Sequence, residues 1–156
     1  MEAKDPLRVR QYALNIEGGV GAGQHRGGYG AIREFEILGD EAFTYCGIGR
    51  SVERPWGLAG GKDGSNNYLD LQSNGTRRKV SRVPYVPLKK GDRVAVVTGG
   101  GGGYGDPRAR PPTDVAADVK NGYLTPERAL EDYGVAVSTE GRIDPAVTAA
   151  MRARGV

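Results

Sequence analysis

The chain has 156 residues, 26 of them glycine, with a net charge of +3, two Phe, one Trp, eight Tyr and a single Cys. Glycine at more than twice its usual share of about 7% but without a triplet period excludes a collagen-like fibre, and the Val, Ile and Tyr runs exclude wholesale disorder. This length suits one domain spanning residues 1–156.

The charge is unevenly placed. Residues 1–78 balance ten basic against ten acidic residues, residues 79–110 hold seven against two, and residues 111–156 hold five against seven. The basic excess lies in RKVSRVPYVPLKKGDR and its neighbours. It lacks the interleaved aromatics of a nucleic-acid platform and reads as a solvated or partner-facing surface, with no nucleic acid as partner. No apolar run approaches the roughly 18–20 residues of a membrane span, and MEAKDPLRVRQ carries no hydrophobic h-region. The expectation is a soluble, cytoplasmic chain with no membrane partner. Cys46 has no partner for an internal disulfide and reads as a small buried hydrophobe.

In chain order, LRVRQYALNIE places Leu7, Val9, Tyr12, Leu14 and Ile16 in a near period-2 pattern with one slip, predicting a half-buried strand. AIREFEIL and FTYCGIG predict two more. The block Val94, Ala95, Val96 and Val97 predicts the most buried strand, covered on both faces. Glycine clusters separate these runs: EGGVGAGQHRGGYG, GLAGGKDGSNN and TGGGGGYGDP. After Pro111 the pattern turns helical. Thr113 is a candidate N-cap for TDVAADVKNG, Thr125 caps TPERALEDYG with Gly134 past its end, and Asp144 caps DPAVTAAMRARG, with Arg152 and Arg154 in the last turn and Gly155 terminating. A short strand at Val135–Val137 and a turn at Glu140 and Gly141 lie between. The fold class is α+β, with a β-rich part over 1–110 and a helical part over 111–156.

Chemistry is sparse. Gly100, Gly102 and Gly105 fit a G-x-G-x-x-G spacing, but a dinucleotide site needs a helix opening at once, and Asp106, Pro107, Pro111 and Pro112 predict that none opens there. His25 lacks nearby metal-ligating partners, so no metal is assigned to this chain. Arg26 beside it is suited to pairing a carboxylate or carbonyl across an interface. Trp56 is expected to pack on the core or a partner. Asp114, Asp118, Glu127, Glu131 and Asp132 read as helix-dipole or solvated carboxylates. No complete active site is visible, which points to a domain working as part of something larger.

The order of the motifs EGGVGAGQHRGGYGAIREFEIL, RSVERPWGLAGGKDGSNN, LKKGDRVAVVTGGGGGYGDPRARPPTDVAADVKNGYLTPERALEDYGVAV and GRIDPAVTAAMRARG resembles the C-terminal end of the hydantoinase B/oxoprolinase family. The resemblance implies an ATP-dependent assembly in which an A-type subunit phosphorylates an oxygen to activate a carbonyl or bicarbonate. A B-type component houses the second part of the reaction. It implies a small subunit of an enzyme hydrolysing a cyclic amide, with ATP and a divalent metal in the partner subunits and no cofactor here. The partners implied are a large B-type and an ATP-binding A-type subunit. A subunit of an acetone- or acetophenone-type carboxylase, a truncated B-type component, a non-catalytic structural module and a stand-alone binding domain are the alternatives. The usual B-type component is several hundred residues long, so no catalytic or metal residue is carried over. What maps is an interface or loop framework: Arg26, Gly27, Gly28, Gly30, Trp56, Gly60, Gly61, Gly99, Gly100, Gly101, Gly102, Gly103, Tyr104, Gly105 and Asp106. His25 is a candidate active-site contact.

Overall fold

The computed structural model describes Glu2 and residues 4–153. Seven strands precede three α-helices: β1 (Leu7–Leu14), β2 (Ala31–Ile37), β3 (Ala42–Gly47), β4 (Tyr68–Ser73), β5 (Thr76–Val80), β6 (Arg82–Leu88), β7 (Arg93–Val97), α1 (Pro112–Lys120), α2 (Pro126–Tyr133) and α3 (Pro145–Ala153). The fold is α+β. Its contacts group into two compact units. The first comprises Met1–Gly19, Tyr29–Pro55 and Ser65–Gly100, and the second Val20–Gly28, Trp56–Gly64 and Gly101–Val156. The second unit therefore draws three glycine-rich stretches, within 20–28, 56–64 and 101–105, from the β-rich part of the sequence.

The first unit is built from two antiparallel sheets, one of five strands in the order β1-β2-β7-β4-β5 and one of two, β3-β6. Their facing sides bury Ile37, Leu69, Leu71, Val83, Leu88 and Val94. The slip in the β1 pattern is a register shift between Val9 and Gln11, a bulge that lets both halves of the strand keep pairing with β2. β1 is not half-buried, however. It is an outer strand, with Tyr12 70% and Leu14 48% exposed.

β7 takes the central place, but it is not the most buried strand, nor is it covered on both faces. Val94 and Val97 are buried while Val96 is 37% exposed. That distinction belongs to β4, where Leu69, Asp70, Leu71 and Ser73 are buried. β4 and β5 form a hairpin whose turn residues Asn74 and Gly75 both take positive φ, 50° and 74°. This is the turn geometry that an Asn-Gly pair favours. The basic segment thus becomes strands, with Arg77, Arg78, Lys79 and Arg82 exposed.

In the second unit the helices enclose Val115, Val119, Leu124, Ala129, Tyr133 and Val135, and Ala22 from a glycine-rich stretch packs among them. Thr125 Oγ1 accepts the Arg128 N–H at 3.3 Å, and Gly134 closes α2 with φ 65°. Asp144 Oδ1 accepts the Val147 N–H at 3.0 Å. These two caps form as the sequence dictates. Arg154 and Gly155, expected in and after the last turn of α3, lie outside the described residues.

Two local expectations are corrected. Thr113 lies inside α1, whose preceding residue Pro111 has no side-chain acceptor to offer. A proline pair fixes the start of this helix through φ instead. Val135–Val137 makes no strand, only a single bridge between Val137 and Ile143 around the turn at Gly141. After the glycine run the chain makes a single turn of 3-10 helix, Pro107–Ala109, with Asp106 Oδ1 accepting the Arg108 N–H at 2.9 Å, and the first α-helix begins only at Pro112.

Candidate functional site

The glycine stretches of the second unit pack side by side, with Gly101–Gly105 in the middle. The Gly21 N–H donates to the Gly101 carbonyl at 2.8 Å and the Gly101 N–H to the Gly28 carbonyl at 2.9 Å. His25 and Tyr104 exchange reciprocal backbone hydrogen bonds at 3.0 and 2.9 Å. On the other side the Leu58 N–H donates to the Gly103 carbonyl and the Gly105 N–H to the Leu58 carbonyl, each at 2.9 Å. Lys62 links the outer stretches: its N–H donates to Ala22 and its carbonyl accepts from Gly103.

Packing of this kind requires backbones closer together than side chains permit. A Cβ on Gly103 would fall onto the Ala22 carbonyl, and one on Gly102 onto the Trp56 carbonyl. Gly102 does not take positive φ, so what its position demands is close approach rather than a left-handed backbone. Gly27 and Gly61 are blocked in the same way, by the Gly101 and Gly103 carbonyls, while Gly60 and Gly105 take positive φ. Gly28 has open space around it, and a Cβ on Gly101 would make only ordinary contacts. In the first unit, Cβ positions on Gly30 and Gly99 meet the Thr98 and Ser65 carbonyls. Gly99 and Gly100 donate their N–H groups to Asn67 Oδ1 and Ser65 Oγ at 2.7 and 2.8 Å.

Arg26 pairs within its own chain rather than across an interface. Its Nε and Nη2 lie 2.9 and 3.3 Å from the two oxygens of Asp118, and its guanidinium sits 5.8 Å from the Tyr123 ring centre. Arg110 Nη2 reaches the same carboxylate at 3.0 Å. Asp118 is therefore a buried anchor, not a solvated helix carboxylate. The signal was present in the sequence, because Asp118 stands on the stripe of Val115 and Val119 and a carboxylate there needs a partner. Arg152 braces the cluster by donating to the Arg110 carbonyl at 2.8 Å. Burial, with help from the neighbouring Arg108, pushes the Arg152 pKa down. Lys62 and Asp132 form a further pair at 2.8 Å.

One side of this framework stays open. Trp56 is 71% exposed, so it does not pack on the core, and Leu58 and Tyr104 are each 56% exposed. His25 is exposed beside them, its ring centre 6.3 Å from that of Tyr104. Cys46, in the first unit, is half-buried against the sheet core, and burial raises its thiol pKa above 9.0. Among the described residues, no three His, Cys, Asp or Glu side chains gather into a group able to hold a metal ion. No described helix is long and apolar enough to cross a membrane.

The first unit also carries a polar groove of about 820 Å³ on the outer face of its five-stranded sheet. There the buried Asp70 receives Arg77 through Nη2 at 2.7 Å and Nε at 3.0 Å, with Glu34 and Arg93 also lining the groove. Sequence reading did not single out this pair, although Asp70 and Arg77 flank the Asn-Gly turn of a hairpin.

A family model for hydantoinase B/oxoprolinase matches residues 1–107. The chain belongs to the hydantoinase B/oxoprolinase family. It is 36% identical over 155 residues to a protein named as the B component of a D-/L-hydantoinase in Pseudomonas sp. (strain NS671), covering 97% of this chain and 26% of that one. It is 35% identical over 159 residues to the beta component of the caprolactamase of Pseudomonas jessenii, covering 98% and 27%. The crystal structure of the ATP-dependent caprolactamase from that organism superposes with a TM-score of 0.80 at 31% identity, again over 98% of this chain and 27% of that one. The acetone carboxylase alpha subunit of Xanthobacter autotrophicus is 28% identical over 193 residues, covering 98% and 25%. The chain thus spans about a quarter of the length of these family members.

Proposed function

We propose that this chain is a small subunit of a heteromeric, ATP-dependent enzyme of the hydantoinase/oxoprolinase type that hydrolyses a cyclic amide in the cytoplasm. Its contribution is framework and interface. The observation that carries this reading is the agreement, over 98% of the chain, with about a quarter of an ATP-dependent caprolactamase. Two relatives, at 36% and 35% identity, are named for a hydantoin and a caprolactam, both cyclic amides. The partners are a large B-type subunit and an A-type subunit that binds ATP, and a divalent metal belongs to those partners. His25 and Tyr104, on the open side of the glycine framework, are the groups offered toward a partner's active centre.

Ketone carboxylation is the second reading, favoured by the match to acetone carboxylase along the same 98% of the chain. One assay separates the two. The complex purified through this chain is given ATP with hydantoin, caprolactam or 5-oxoproline, and separately ATP with acetone and bicarbonate. ATP turnover that depends on a cyclic amide and releases the ring-opened acid supports the first reading. Turnover that depends on ketone plus bicarbonate selects the second.

A further inference from the structure

The apolar face of the five-stranded sheet in the first unit is only partly roofed. At about 4.8 Å per strand, two strands cover about 10 Å of a sheet about 24 Å across. The uncovered part forms a groove of about 440 Å³ floored by Phe35, Val94 and Val96. Val9 and Phe35 are cross-strand partners, as are Phe35 and Val94, so these three form an apolar row across the sheet, with Val96 on the same face one rung along, opposite Arg33.

The wall of this groove is β3. It pairs with β6 on one side only, and its residues Ala42–Cys46 border the groove. Its sequence, AFTYCG, contains no charge and no proline. The other outer strands are guarded, β1 by Arg8 and Arg10, β5 by Arg77, Arg78 and Lys79, and β6 by Arg82, Pro84 and Pro87. Charge and proline are what keep a free sheet edge from pairing with another chain, and β3 alone among these edges has neither.

We infer that the free edge of β3 receives an extended, apolar segment of the large B-type subunit, which adds a strand to β3 and roofs the groove over Phe35, Val94 and Val96. This rests on the proposed function, and the remaining three quarters of a family member's length supply the occupant. Main-chain hydrogen bonds to β3 would give affinity, and alternate apolar side chains entering the groove would give specificity.

Cys46 lines the groove and is the chain's only cysteine, so it reports occupancy. The chain is purified alone and as the complex with the large B-type subunit of the same organism. Maleimide labelling of Cys46 and amide exchange across 42–47 are then measured in each. Both are expected to slow by about tenfold or more in the complex. A V96E variant, altered at an already exposed position, should keep its melting temperature alone but lose most of its binding. If V96E fails to fold, labelling and exchange of the unaltered chain decide. A stable complex with unchanged β3 overturns this inference and leaves the subunit reading standing, whereas failure to form any complex overturns both. Protection of Cys46 in the isolated chain through self-association makes a second copy the occupant and overturns it too.

Discussion

Arg26 and Asp118, 92 positions apart in sequence, meet through two guanidinium nitrogens at 2.9 and 3.3 Å. This contact fastens the glycine-rich stretch before β2 to the buried face of α1. Because Arg110 shares the carboxylate, removing its charge strands two arginines at once. Asp118→Asn should cost about 3–5 kcal/mol, the usual penalty for breaking a buried pair, and lower the melting temperature by roughly 10 °C. Arg26→Lys, which keeps the charge but loses the fork, should cost less. Circular-dichroism melts of the two variants give this order directly.

The glycine framework makes a matched pair of opposite expectations. Gly103→Ala forces a methyl group onto the Ala22 carbonyl and should destabilise by about 3 kcal/mol. Gly28→Ala meets open space and should stay within about 0.5 kcal/mol of the parent. Soluble yield and denaturant midpoints of the two proteins test whether close approach, rather than glycine content, holds these stretches together.

Glu127 gives the acid limb of stability a specific contributor. Its own backbone N–H, and then the Thr125 hydroxyl, hold the carboxylate below its ordinary value of 4.5. A depressed carboxylate pKa stabilises the fold fully above that ordinary value, and the contribution is lost as pH falls through the folded-state value. Glu127→Gln should therefore melt slightly below the parent at neutral pH, and the difference should shrink as the pH falls below the carboxylate's ordinary range. Paired melts across that range measure it.

His25→Ala tests the open side of the framework. The ring is exposed, so folding and assembly should be unchanged to within about 0.5 kcal/mol. Turnover by the assembled complex should fall if the imidazole reaches the active centre. Full activity would remove His25 from the site.

How far the sequence could be read differs between elements for physical reasons. Both ends of α2 and the start of α3 were legible because Thr125, Gly134 and Asp144 act on their own neighbours. The β1 bulge showed as a slip in a local alternation. The β4–β5 hairpin was equally local, since Asn74-Gly75 announces it, but the charge on TRRKV concealed a strand whose outer faces simply meet solvent. Burial was harder. The Val94–Val97 block suggests two covered faces, yet the second layer has only two strands, and nothing local says so. The role of Gly102 was illegible for the same reason, because its constraint is the Trp56 carbonyl, 46 positions upstream. The family resemblance needed no such inference, because four motifs in fixed order carried it.

The most direct test of the subunit assignment is a tagged pull-down of this chain from its native source, with mass spectrometry and an ATPase assay on the eluate. Recovery of a large B-type and an ATP-binding A-type polypeptide, with ATP turnover dependent on a cyclic amide, is the expected result. Recovery of the chain alone, folded and monodisperse, would contradict the assignment and leave an independent binding domain in its place.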